Sequence, residues 1–125
     1  MKLQPDRFDV PAITGYGPGW VGVSGEQVAA SVVIGSRGQR LDWQCDDFGA
    51  LTASHFAQLA TLDAELVIFG SGQRLRFVPA AWLQPLMARR IGLETMDTQA
   101  ACRTYNILAG EGRNVIAALL IEPAG

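Results

Sequence analysis

The chain has 125 residues, 49% of them hydrophobic and only 18% charged, with ten basic against twelve acidic side chains. That length holds one domain able to bury a core without a disulfide or metal staple, and a net charge of -2 excludes broad electrostatic capture of nucleic acid. So low a charged fraction leaves surface to be covered by neutral groups or by a partner, a second copy of the chain included.

No apolar run reaches eighteen residues, so a membrane span is not expected. The start, MKLQPDRFDVP, lacks the apolar centre of a signal peptide. Cys45 and Cys102 are far apart and form no CxxC, which fits reduced thiols in a cytoplasmic protein.

Residues 1–11 read as an arm and 12–123 as a single domain. A short strand at Ile13 to Tyr16 ends at Gly17-Pro18-Gly19. Trp20 to Val23 and Gln27 to Ile34 are apolar-rich runs joined by Ser24-Gly25-Glu26, the pattern of a hairpin. A turn near Ser36 to Gly38 leads to Leu41 and Trp43. The first third is therefore mainly antiparallel strand.

After Gly49 the period becomes helical. Phe56, Leu59 and Ala60 share a stripe, with Thr52 placed to cap it. Glu65 to Phe69 (ELVIF) is a compact strand apolar enough to be buried on both faces. Arg74 to Val78 suggests a short extended piece, and Pro79 opens another helical pattern through Trp82, Leu83, Leu86 and Met87. Pro85 requires either a bend there or a regular helix that begins only near Gln84. Leu93 to Met96 is a strand, Thr98 to Ala109 a helix and Asn114 to Ile121 the last strand. Alternation of this kind predicts a largely parallel sheet with helices on its faces, which the front hairpin extends or packs beside.

Ligands collect beyond the carboxyl ends of parallel strands. Two loops qualify: Gly70-Ser71-Gly72 after ELVIF, and Asp97-Thr98 after LETM. If those strands are neighbours, the loops share one rim, where backbone amides, the Ser71 hydroxyl and the helix start at Thr98 would suit a small anion. Arg103 and Asn106 on the following helix complete the candidate ligand-binding set. Asp97 can cap that helix and would repel an anion. GSGQRL lacks the third glycine of a dinucleotide fingerprint.

No catalytic residue, metal ligand set or cofactor motif is expected. Cys102 shares a helix face with Tyr105, Leu108 and Ala109 and reads as a packed thiol. His55 is the single histidine, too little for a zinc site, and Asp46-Asp47 reads as a loop or capping pair. Trp20, Trp43, Phe48, Phe69, Phe77, Trp82 and Tyr105 are dispersed like core anchors, and exposure of two on one face would mark a protein interface.

Several blocks carry a resemblance: Ile13-Thr14-Gly15-Tyr16, Gln27 to Val33, Leu41-Asp42-Trp43, Leu66 to Gly72 and, above all, MDTQAACRTYNILAGEGRNVIAALL from Met96 to Leu120. On these the chain resembles the Mth938-like family of small uncharacterised archaeal and bacterial domains. That family also includes mitochondrial complex I assembly factor 3 and an adipogenesis-associated animal protein. The resemblance implies a three-layer α/β domain with a mixed central sheet and no secure tie to any reaction. Its recurrent polar positions correspond to Asp97, Thr98, Arg103, Thr104, Asn106, Glu111 and Arg113. The reading that follows is a non-enzymatic protein-interaction or assembly-factor-like domain. The alternative is a small-molecule or anion-binding module, an enzyme included, working at the Gly70–Gly72 and Asp97–Thr98 rim.

Overall fold

A computed structural model describes residues 10–123; most of the N-terminal arm lies outside that range. Eight strands and three helices follow in order: β1 (Ile13–Gly17), β2 (Trp20–Val23), β3 (Glu26–Val28), β4 (Val32–Gly35), β5 (Arg40–Asp42), α1 (Ala53–Leu59), β6 (Leu66–Gly70), α2 (Gln84–Ala88), β7 (Gly92–Met96), α3 (Thr98–Gly110) and β8 (Val115–Leu119). They form a mixed five-stranded sheet, order β5-β4-β8-β6-β7, and a separate three-stranded sheet, β1-β2-β3. In the larger sheet β6 runs parallel to β7 and β8, while β4 is antiparallel to both β5 and β8. This is the expected single-domain α/β sandwich.

The central sheet separates two cores, and strand alternation decides which residue enters which. Ile116, Ala118 and Leu120 join Val67, Phe69, Val33 and Trp43 beneath Phe56 and Leu59 of α1 and Leu86 of α2. Val115, Ala117 and Leu119 join Ile68, Val32 and Ile34 on the other side. There they meet Ala101, Cys102 and Tyr105 of α3 and Ile13, Val21 and Val23 of the small sheet. Every residue of β8 is buried, which is why its sequence is an unbroken apolar run.

Two expectations change. Gln27 to Ile34 is not one strand: β3 stays with the small sheet, and after a break at residues 29–31 β4 enters the central one. Ser31 explains the break. Its hydroxyl accepts from Ile121 N–H at 2.8 Å, a side chain standing in for a ladder bond where the chain changes sheets. Arg74 to Val78 forms no strand, because its groups turn inward to Ser71 and Glu122. At Pro85 the second option holds. A 3-10 turn covers Ala80–Leu83 and α2 begins at Gln84, so the proline sits in the first turn, where it costs no helical hydrogen bond.

At α1, His55 Nδ1 accepts from Thr52 N–H at 3.0 Å, while Nε2 lies 3.0 Å from the Gln44 carbonyl. An accepting Nδ1 requires the proton on Nε2, so Nε2 donates to that carbonyl. The ring also meets Trp43 edge-on, 5.7 Å between centroids. Asp47 caps its own 3-10 turn by accepting from Ala50 N–H. Both residues thus have structural work.

Candidate functional site

Because β6 and β7 are neighbours in parallel register, with Gly70 opposite Met96, the loops that follow them share one rim, as expected. Thr98 joins them. Its N–H donates to Gly72 O at 2.9 Å, its hydroxyl accepts from Gly72 N–H at 2.9 Å, and the same hydroxyl donates to Leu120 O at 2.7 Å. Leu120 N–H in turn donates to Gly70 O. One threonine therefore ties the exits of β6 and β8 to the start of α3.

Gly70 permits this closeness: a Cβ there would stand 3.0 Å from both Cα and Oγ1 of Thr98. Gly72 has φ +100°, a conformation open to glycine and costly to other residues.

The amides expected to cradle an anion are largely taken by the protein itself. Gly72 N–H is held by Thr98 and Ala100 N–H by the Asp97 carboxylate at 2.9 Å. Ser71 is fully buried, donating to Arg74 O and accepting from Arg76 N–H. Arg103 and Asn106 also have partners elsewhere. The Arg103 guanidinium donates to Tyr16 Oη at 2.9 Å. Asn106 bonds both main-chain groups of Ile13, and the neighbouring Tyr105 donates its hydroxyl to Pro11 O at 2.6 Å. These three side chains clamp the small sheet onto α3.

An open cleft of about 400 Å³ lies between this rim and the β1–β2 turn. Tyr16, Trp20 and the intervening Gly17-Pro18-Gly19 form one wall. Gly72, Gln73, Asp97, Thr98, Gln99 and the stretch from Leu120 to Glu122 form the other. Of the predicted set, Gly72, Asp97 and Thr98 line the cleft, whereas Gly70, Ser71, Arg103 and Asn106 do not. The charged side chains on its lining are the acids Asp97 and Glu122. The donors assigned to an anion are thus bonded within the protein, and Asp97 would oppose a negatively charged ligand at this lining.

Sequence reasoning missed Tyr16, Trp20, Gln73, Gln99 and Glu122. Only Glu122 left a usable trace. It is the first charged residue after the last strand, at the carboxyl end where parallel sheets place ligands. The approach of the β1–β2 turn depends on tertiary packing that no local pattern announces.

Glu122 is also a knot. Its carboxylate accepts from Arg76 Nη2 at 2.6 Å, Phe48 N–H at 3.2 Å and Gln73 N–H at 3.4 Å. The Arg76 guanidinium sits 4.6 Å from the Phe48 ring centroid, in cation–π range. Burial pushes the Glu122 carboxyl up, but the bonds from Arg76, Phe48 and Gln73 outweigh it, and its pKa lies below the ordinary value. Cys102 is fully buried, and burial pushes its thiol up to about 12, the opposite of what a nucleophile needs. Among the described residues, no group of three His, Cys, Asp or Glu side chains is placed to hold a metal, and no helix is long and apolar enough to cross a membrane.

A mixed sheet between two cores is the architecture of an Mth938-like α/β domain. The chain belongs to the family described as protein of unknown function (DUF498/DUF598), whose model matches residues 13–120. It is 33% identical over 87 residues to the human NADH dehydrogenase [ubiquinone] 1 alpha subcomplex assembly factor 3, covering 68% of this chain and 47% of that protein. An uncharacterized protein of Rhodobacter capsulatus is 34% identical over 111 residues, covering 89% of this chain and 85% of that one. The solution structure of a Mth938-like domain from Bordetella pertussis superposes with a TM-score of 0.84 at 29% identity, covering 100% of this chain and 95% of that one. The chain spans about half the length of the assembly factors it matches.

Proposed function

We propose that this is a non-enzymatic protein-interaction domain that takes part in the assembly of a larger complex. The observation that carries the reading is the exposure of large apolar side chains: Leu75, Phe77 and Met87 on the β6-to-β7 connection, and Ile107 on α3. Such groups, Phe and Met above all, are enriched at interface cores and contribute large contact area. The assembly factors among its relatives support the same class of role. Their process and partners are proposals for this chain, as is its location in the cytoplasm. Purification of a tagged copy at natural levels from its own cell, with the complex mass determined on the eluate, tests the reading. A second protein in fixed ratio is expected; a bare monomer would refute it.

The cleft favours a second reading, a small-molecule site. With Asp97 and Glu122 on one wall and Tyr16 and Trp20 on the other, it suits a neutral polar molecule better than an anion. Native mass spectrometry of the same eluate tests this through the mass of any retained compound.

A further inference from the structure

Helix α3 has two unlike faces. Ala101, Cys102 and Tyr105 are buried in the core beneath it. On the opposite side stand Arg103, Ile107 and Glu111, each four residues from the next and so one above another on a single face. All three are exposed, Ile107 at 61%. Glu111 lies just past the last helical residue, Gly110, but its N–H still donates to Ile107 O at 3.1 Å, which keeps it on the helical path. Ala100, Thr104 and Gly110 flank this line, and side chains that small let a second helix come close.

Neither charge on the face has an opposite partner. Glu111 makes no ion pair among the described residues, and the nearby cation Arg113 is bonded to Glu65 at 2.9 Å. Arg103 makes no ion pair either. Its Nη1 donates to Tyr16 Oη at 2.9 Å, which engages one of the several guanidinium donors and leaves others for a carboxylate.

We propose that a second copy of this chain docks on this face, the two α3 helices running antiparallel about a two-fold axis beside Ile107. A two-fold contact is complementary to itself: where residue i meets j, j meets i. Arg103 and Glu111 stand at equal spacing on either side of Ile107. Antiparallel pairing therefore sets Ile107 against its own equivalent, and Arg103 of each copy beside Glu111 of the other. A parallel pair would set like charge on like. That symmetry selects the occupant, because opposite charges placed evenly about one apolar residue are satisfied by the same face turned around. A bilayer surface fits less well, since it takes a continuous apolar stripe and Ile107 stands between two charges. Ion pairs at the edge of a contact fix register and orientation more than affinity, so the association is expected to be weak and reversible. The inference goes beyond the assembly reading, whose partner is a different protein, and the two fail separately because this one is tested on the purified chain alone.

Sedimentation equilibrium of the full chain is the test. The wild type should show a monomer–dimer equilibrium. Ile107→Ser, Arg103→Glu and Glu111→Arg, all at exposed positions, should each weaken it by roughly tenfold or more. Mixed in equal amounts, the Arg103→Glu and Glu111→Arg chains should associate again as a heterodimer, because one then carries two acids on the face and the other two arginines. Arg103→Glu also removes the bond to Tyr16, so thermal melts accompany it, and Ile107→Ser and Glu111→Arg decide the matter if it does not fold. A wild-type chain that stays monomeric up to about 1 mM, a dimer that Ile107→Ser and Glu111→Arg leave unchanged, or a mixture of the two folded charge variants that stays monomeric overturns the proposal.

Discussion

Asn106 grips Ile13 by both of its main-chain polar groups, with Nδ2 donating to the carbonyl at 2.7 Å and Oδ1 accepting from the N–H at 2.9 Å. A helix side chain thus takes the place of a neighbouring strand at the edge of β1. Asn106→Ala should destabilise the domain by about 1–2 kcal/mol, and Asn106→Asp by somewhat more, because a carboxylate would then face the Ile13 carbonyl. Urea denaturation checks the magnitudes. Hydrogen exchange checks the location, since the Ile13 amide should lose protection in both variants while the β8 amides keep theirs.

Thr98 makes a sharper case because its hydroxyl is buried with a donor and an acceptor on it. Thr98→Val keeps the shape and orphans Gly72 N–H and Leu120 O, at a cost of about 2–4 kcal/mol. Gly70→Ala should cost about 1–3 kcal/mol by overpacking against Thr98. The two substitutions strain the same contact, so their combined cost in a double-mutant cycle should depart from the sum. Additive costs would show that the contact is not shared.

Much of the fold is legible in the sequence because the residues forming it answer to local periodicity. The unbroken apolar run of β8 and the 3.6-residue stripe through Ala101, Cys102 and Tyr105 each state which faces they bury. The rim was legible for a similar reason: parallel neighbours place their exits side by side. Its chemistry was not. Whether the amide of Gly72 is free or bonded to Thr98, and whether Arg103 faces a ligand or Tyr16, depends on which distant segments meet. Ser31 shows the same limit, since a polar residue that breaks one strand into two reads like any loop serine until Ile121 is beside it.

The two thiols should differ in reactivity. Cys102 is fully buried with its pKa raised to about 12, and Cys45 is partly exposed, its thiol also pushed up by burial. Iodoacetamide should therefore alkylate Cys45 in the native protein and reach Cys102 only on unfolding. Intact mass after timed alkylation should plateau at one adduct. Fast modification of Cys102 under native conditions would contradict its place in the core.

Glu122 links stability to acid pH. Its folded-state pKa is lowered, so its contribution is present above the unfolded value near 4.5 and is lost as pH falls through the folded value. The wild-type chain should lose more stability between about pH 5 and pH 3 than Glu122→Gln does, and the two should differ most near neutrality. Parallel thermal melts across that range measure it, and parallel acid limbs would remove Glu122 from the account.

The central claim, that this domain works by binding another protein through exposed apolar side chains, is tested most directly by one comparison. Tagged wild-type chain and the variant Leu75→Ser/Phe77→Ser, changed only at exposed positions, are expressed at natural levels in their own cell. Their purified complexes are then weighed by native mass spectrometry. The account predicts a second protein at fixed stoichiometry with the wild type and its loss from the variant, with melting temperature unchanged. A wild-type chain that runs alone, or a partner held equally by both, would contradict it.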